Sequence, residues 1–144
     1  NGGMVIGVAD DAGMHSSQNE QDSRRHAIAA KVPMLEPSDS AEALAFTRLA
    51  FALSEEFDTP VLLKMCTRVA HSQSLVELSD REERQTVPYE KNIAKYVMMP
   101  GNAIRRHPAV EERCGSGRRL LPSIGWRWAV PAWASLPPPP ATSM

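Results

Sequence analysis

Short apolar runs alternate with longer amphipathic stretches along the first half of the chain. Met4-Val5-Ile6-Gly7-Val8-Ala9 is compact, partly β-branched and entered through Gly2-Gly3, which predicts a buried strand feeding a polar loop. From about Gln18 to Ala30, polar residues come first and Ala27-Ile28-Ala29-Ala30 last, as in a helix whose end packs on a sheet. Val32-Pro33-Met34-Leu35 predicts a second short strand. Asp39 followed by Glu42 forms a capping pair, and Leu44, Phe46, Leu49, Phe51 and Leu53 make the helix from about Ser40 to Phe57 apolar over most of its surface, so it is expected to be mostly buried. Asp58-Thr59-Pro60 ends that helix, and Val61-Leu62-Leu63-Lys64-Met65-Cys66-Thr67 reads as an interior strand of a parallel sheet.

Strands alternating with helices of this length imply right-handed βαβ crossovers, so the fold class is α/β, part of a doubly wound parallel sheet. Three strands make a thin core where such a sheet normally has about five or more. Together with the lack of an initiating Met, this is read as a chain that starts inside a domain. The pattern changes after Ser72. Charges crowd Glu77 to Arg84, and Pro88, Pro100, Gly101 and Pro108 punctuate the rest, so residues 73–113 are expected to be a linker with short helices. Residues 114–144 differ again, holding all three Trp residues and the run Pro137 to Pro140, and are expected to lack packed structure.

Composition narrows the function classes. With 144 residues, 42% of them hydrophobic, 23% charged and a net charge of -1, the chain suits one soluble domain. Nucleic acid is not an expected partner, because the basic clusters Arg105-Arg106-His107 and Arg118-Arg119 lack interleaved aromatics that stack on bases. No apolar run reaches the length of a membrane span, so no membrane partner is expected. Cys66 and Cys114 stand in unrelated contexts without metal-ligand spacing, so neither a metal site nor a disulfide framework is expected, and the compartment is expected to be cytoplasmic.

The densest chemistry lies in Asp10 to Arg24, a nearly unbroken series of hydrogen-bonding side chains after the first strand. In open α/β sheets, ligands bind beyond the carboxyl ends of the strands. His15, Ser16, Ser17 and Gln18 are therefore candidate substrate-binding residues, able to hold a carboxylate and stabilise charge developing on a substrate oxygen. The competing reading is that Ser16 or Ser17 caps a helix from Gln18 while Glu20 and Asp22 oppose its dipole. Arg68 and His71 follow the third strand and can reach the same edge, Arg68 gripping a carboxylate through its fork or merely pairing with Asp10 or Asp11. Asp10 and Asp11 themselves are read as strand-ending residues that bond nearby backbone amides.

A family resemblance enters through Ala9-Asp10-Asp11, Met14-His15-Ser16-Ser17-Gln18-Asn19-Glu20-Gln21-Asp22, Pro33-Met34-Leu35-Glu36-Pro37-Ser38, Ser54-Glu55-Glu56-Phe57, Pro60-Val61-Leu62-Leu63 and Thr67-Arg68-Val69 with His71-Ser72. Tyr96-Val97, Pro100, Asn102-Ala103 and Arg105-Arg106-His107 continue it. In this order they resemble the alpha subunit of indolepyruvate:ferredoxin oxidoreductases, over most of residues 1–113. The resemblance implies the thiamine diphosphate-binding fold, with residues 1–72 as the later half of the pyrimidine-binding domain. It also implies oxidative decarboxylation of aryl 2-oxoacids such as indolepyruvate to aryl-acetyl-CoA. The implied cofactors are thiamine diphosphate with Mg and iron–sulfur clusters, held mainly by parts of such a subunit outside this chain. The implied partners are a beta subunit, ferredoxin, the 2-oxoacid and coenzyme A. Read one nucleotide out of frame, the codons for Leu121 to Ala134 permit a string resembling the segment with which such subunits enter their next domain. The tail is accordingly read as frameshifted, against a Pro-rich linker or polyproline ligand. The rival to the whole reading is a non-catalytic α/β binding or regulatory module.

Overall fold

The computed structural model describes residues 3–14, 19–81, 83 and 88–120, with side chains as far as residue 115. Strand β1 (Val5–Ala9) leads to helix α1 (Arg24–Ala30), β2 (Met34–Leu35), α2 (Ser40–Phe57) and β3 (Val61–Met65). The short helices α3 (Thr67–Ala70) and α4 (Ile93–Tyr96) and the long α5 (Pro100–Leu120) follow. The three strands form one all-parallel sheet in the order β1-β3-β2, with Val5 opposite Val61, Ala9 opposite Met65 and Leu35 opposite Leu63. This is the open, doubly wound type of α/β architecture expected from the alternation of apolar runs.

Register and pleat divide the side chains between two faces. Val61 and Leu63, with Leu35 from β2, turn toward α2 and join Phe46, Ala50 and Leu53 in the core. Leu62 and Lys64 turn the other way, toward the side on which α1 begins. Ser54, buried in α2, ties the layers together: its hydroxyl donates to the Thr59 carbonyl at 2.6 Å and accepts from the Met4 amide at 2.7 Å.

The α2 boundaries fall where the sequence puts them. The Asp39 carboxylate accepts from the Glu42 amide at 2.8 Å, and Glu42 reaches back to the Ser38 amide and hydroxyl at 2.8 and 2.7 Å. At the other end Asp58 adopts φ 50, a left-handed conformation that Asp tolerates, and Pro60 blocks continuation.

Several expectations need correction. Helix α1 starts at Arg24 rather than near Gln18, because Gln21 and Ser23 spend their amides on Asp11 and Asp10 instead of on a helical turn. Its cap position is Ser23, whose side chain makes no capping bond. Strand β3 ends at Met65, since Asp11 captures the Thr67 amide and starts α3 there. Helix α2 is not mostly buried: Leu44 and Phe51 are 37% and 43% exposed, because a three-stranded sheet covers only one of its faces. After residue 73, α4 is a short helix as expected, but α5 is one 21-residue helix that continues past residue 113 to Leu120. Pro100 stands at its first position, where a proline's absent N–H costs nothing, and only Pro108 interrupts the ladder. Arg113 of α5 donates to the Phe57 and Asp58 carbonyls at 3.4 and 3.0 Å, supplying a cation to the carboxyl end of α2. Residues 121–144, including the segment read as frameshifted, lie outside the described residues.

Candidate functional site

A cleft of about 250 Å³ opens where β1 and β3 end, the edge at which open parallel sheets bind ligands. Asp10, Asp11, Asn19, Gln21, Thr67 and His71 supply its polar lining, and Met14, Met65 and Cys66 part of its apolar lining. Its walls are the Asn19–Gln21 stretch on one side and α3 on the other. Asp11 joins them: its carboxylate accepts from the Thr67 amide at 2.9 Å and from the Thr67 hydroxyl, while its carbonyl accepts from the Gln21 amide at 3.1 Å.

Beneath the cleft lies a charge network that the hydrophobic pattern conceals. Lys64 sits in the central strand and is 1% exposed. Pleat alternation puts it on the same face as Asp10 and Glu36, each the first residue past the end of a neighbouring strand. Its Nζ lies 3.0 Å from Glu36 Oε1 and 3.2 Å from Asp10 Oδ1, the second an ion-pair contact without hydrogen-bond alignment. Glu36 also takes a two-point grip from Arg24, at 2.9 and 2.6 Å. Asp10 Oδ2 accepts from the Ser23 amide at 2.6 Å.

Burial opposes ionisation of Asp10, but the Ser23 and Lys64 interactions outweigh it and lower its pKa. Glu36 behaves likewise, burial being outweighed by its bonds to Arg24 and Lys64. Burial disfavours the Lys64 ammonium, yet Glu36 and Asp10 together raise its pKa. All three groups are thus held charged. Asn19, Gln21 and His71 supply the cleft's polar side chains besides Asp10, Asp11 and Thr67. Among the described residues no group of three or more His, Cys, Asp or Glu side chains is placed to hold a metal.

The expected site residues fare differently. His15, Ser16, Ser17 and Gln18 lie outside the described residues. Arg68 is exposed on α3 and does not line the cleft; it pairs with neither Asp10 nor Asp11, which are committed to Lys64 and Ser23 and to Thr67. His71 does line it. Asp10 and Asp11 end the strand and bond backbone amides, as their positions imply. Lys64 escapes a hydrophobic reading, although a lone Lys inside a five-residue interior strand, with acids at two neighbouring strand ends, was the available signal. Among the described residues no helix is long and apolar enough to cross a membrane.

An open parallel sheet with a polar cleft at its carboxyl edge places this chain among the α/β proteins. Neither a family model nor a solved structure matches the chain. It is 39% identical over 129 residues to the indolepyruvate oxidoreductase subunit IorA of Archaeoglobus fulgidus and 40% identical over 133 residues to that of Thermococcus kodakarensis, each match covering 88% of the chain. The subunit of the same name in Methanothermobacter thermautotrophicus is 45% identical over 106 residues, 73% of the chain. Over the segment it covers, the chain belongs to the indolepyruvate oxidoreductase alpha-subunit family. It spans 21%, 21% and 17% of the length of these curated relatives. Their shared name marks each as one subunit of a multi-subunit oxidoreductase.

Proposed function

We propose that the chain contributes the substrate-side cleft of an oxidoreductase subunit that oxidatively decarboxylates aryl 2-oxoacids, indolepyruvate among them, to aryl-acetyl-CoA with ferredoxin as electron acceptor. The observation that carries the reading is the 39–45% identity to the three IorA subunits, which also disfavours a non-catalytic module. In it, His15, Ser16, Ser17 and Gln18, which lie in the chain between the cleft residues Met14 and Asn19, bind the substrate carboxylate and 2-oxo group, with Arg68, outside the cleft on α3, adding positive charge at longer range. Asn19, Gln21 and His71 orient the substrate from the cleft walls.

Thiamine diphosphate with Mg, iron–sulfur clusters, a beta subunit, coenzyme A and a cytoplasmic location belong to the same proposal. Thiamine diphosphate, held mainly by parts of such a subunit outside this chain, would supply the nucleophile and the electron sink that decarboxylation of a 2-oxoacid needs. The described residues do not fit the metal or the clusters, since no three ligating side chains converge, so no step on this chain runs through them. What the chain's own groups do is bind, orient and hold charge at the substrate oxygens. The division at residues 72 and 113 and the frameshifted origin of the tail are part of the proposal, and resequencing the coding DNA checks the latter.

The test uses a full-length subunit carrying this sequence, assembled with its partner. Indolepyruvate-dependent, coenzyme A-dependent ferredoxin reduction is expected, and His15→Ala and Gln18→Ala are each expected to lower kcat/KM by about tenfold or more with little change in melting temperature. Unchanged kinetics with a lower melting temperature refute the site assignment and leave these two side chains a structural role. No reduction with any aryl 2-oxoacid refutes the activity.

A further inference from the structure

Lys64 has no place in the chemistry proposed above, yet it and Asp10 are both deeply buried charges. Taking an ammonium out of water costs several kcal/mol unless its partners repay the loss. An apolar side chain at this position would continue the sheet face without that penalty. Its partners are therefore informative: two carboxylates, each at the point where a neighbouring strand gives way to a loop.

The two partners are not equivalent. Glu36 is also held by Arg24 through two hydrogen bonds, so it keeps a cation when Lys64 is removed. Asp10 is 6% exposed, and Lys64 is its ion-pair partner among the described residues. Its other oxygen accepts from the Ser23 amide at 2.6 Å, thirteen residues along the chain. Next to it, Asp11 takes the Gln21 and Thr67 amides. Asp10 and Asp11 thus tie the start of α1 and one wall of the cleft to the end of β1, and Asp11 ties the other wall, at α3, to the same point.

We propose that Lys64 is the positioning residue of the cleft: by holding Asp10 as a buried carboxylate it clamps the Asn19–Ser23 wall to the end of β1 and sets the cleft's width. Without the ammonium, Asp10 takes up a proton or turns toward water, and either change weakens its bond to the Ser23 amide. The loss falls on the β1 side of the sheet, where the cleft is, and spares the Glu36–Arg24 side. The consequence for substrate rests on the functional reading above; the clamp itself does not.

Hydrogen exchange on the assembled enzyme tests the clamp, with peptides covering 19–23 and 61–65 resolved by mass spectrometry. In Lys64→Met, exchange across 19–23 is expected to quicken by about tenfold, the scale of one weakened hydrogen bond to a charged acceptor, while 61–65 stays protected. KM for the aryl 2-oxoacid is expected to rise by about tenfold with kcat changing far less, the signature of a displaced binding wall. A second variant, Lys64→Met with Asp10→Leu, removes both buried charges and so cannot fail through an unpaired one; the same loosening of 19–23 is expected. Protection of 19–23 in either variant, or loosening of 61–65 to the same degree, overturns the proposal and leaves Lys64 a purely structural residue. If the parent enzyme turns over no aryl 2-oxoacid while 19–23 loosens as expected, the functional reading falls and the clamp stands.

Discussion

Leu53→Ala tests how much of this fold rests on the single interface between α2 and the sheet. Leu53 is 7% exposed and packs in the cluster formed by Leu35, Phe46, Ala50, Val61 and Leu63. Truncation removes three carbons, worth about 0.8 kcal/mol each in transfer from water, so the transfer contribution alone is about 2.4 kcal/mol. The cavity left behind adds to this, but the helix has one open face and can settle toward the sheet, which holds the total to about 3 kcal/mol, the low end for buried leucines. Leu44 on the same helix is the control: at 37% exposed it loses much less contact, and Leu44→Ala is expected to cost under about 1 kcal/mol. Urea unfolding of the 144-residue chain, followed by far-UV circular dichroism, gives both values from the midpoints at a shared m. A Leu53→Ala cost below about 1 kcal/mol, or one equal to that of Leu44→Ala, refutes the one-sided core.

The remaining predictions concern caps and charge. Asp39→Ala is expected to destabilise α2 by about 1 kcal/mol and Asp39→Asn by much less, since the amide oxygen can still accept from the Glu42 amide; equal losses would count against the cap. The folded-state pKa values of Asp10 and Glu36 are lowered, so their stabilisation is present above the ordinary carboxylate range and is lost as pH falls through and below it. The Lys64 pKa is raised, so its contribution is complete below the ordinary lysine value and is lost as pH rises beyond it. Melting temperature is thus expected to be flat between about pH 5 and 9 and to fall on both sides. In Lys64→Met with Asp10→Leu the acid-side fall should be shallower, and an unaltered acid limb would show that Asp10 does not carry it.

Helix α2 was legible because every signal that sets it is local: an Asp cap with Glu three residues on, apolar residues at helical spacing, and Asp58 and Pro60 at its end. The parallel strands were legible for the same reason, since short apolar runs separated by helical lengths admit few topologies. The family was legible in Met14 to Asp22 and Thr67 to Ser72, whose residue order is far more specific than their composition.

Where α1 begins was not legible, because the amides that would have opened an earlier turn bond to the Asp10 carboxylate and the Asp11 carbonyl at the end of β1, thirteen and ten residues back. The exposure of Leu44 and Phe51 was not legible either: helical spacing reports that a residue is apolar, whereas burial depends on how wide a sheet lies beneath it. By itself the sequence determined the elements that hydrogen-bond or cap within themselves, the parallel direction of the strands and the chemical character of the loop after β1. Tertiary structure alone decided that Lys64 lies between Asp10 and Glu36, that Arg68 stands outside the cleft, and that Asp11 joins its two walls. The physical reason is register: which side chains meet across a parallel sheet depends on how strands far apart in the chain align, and no local pattern encodes that alignment.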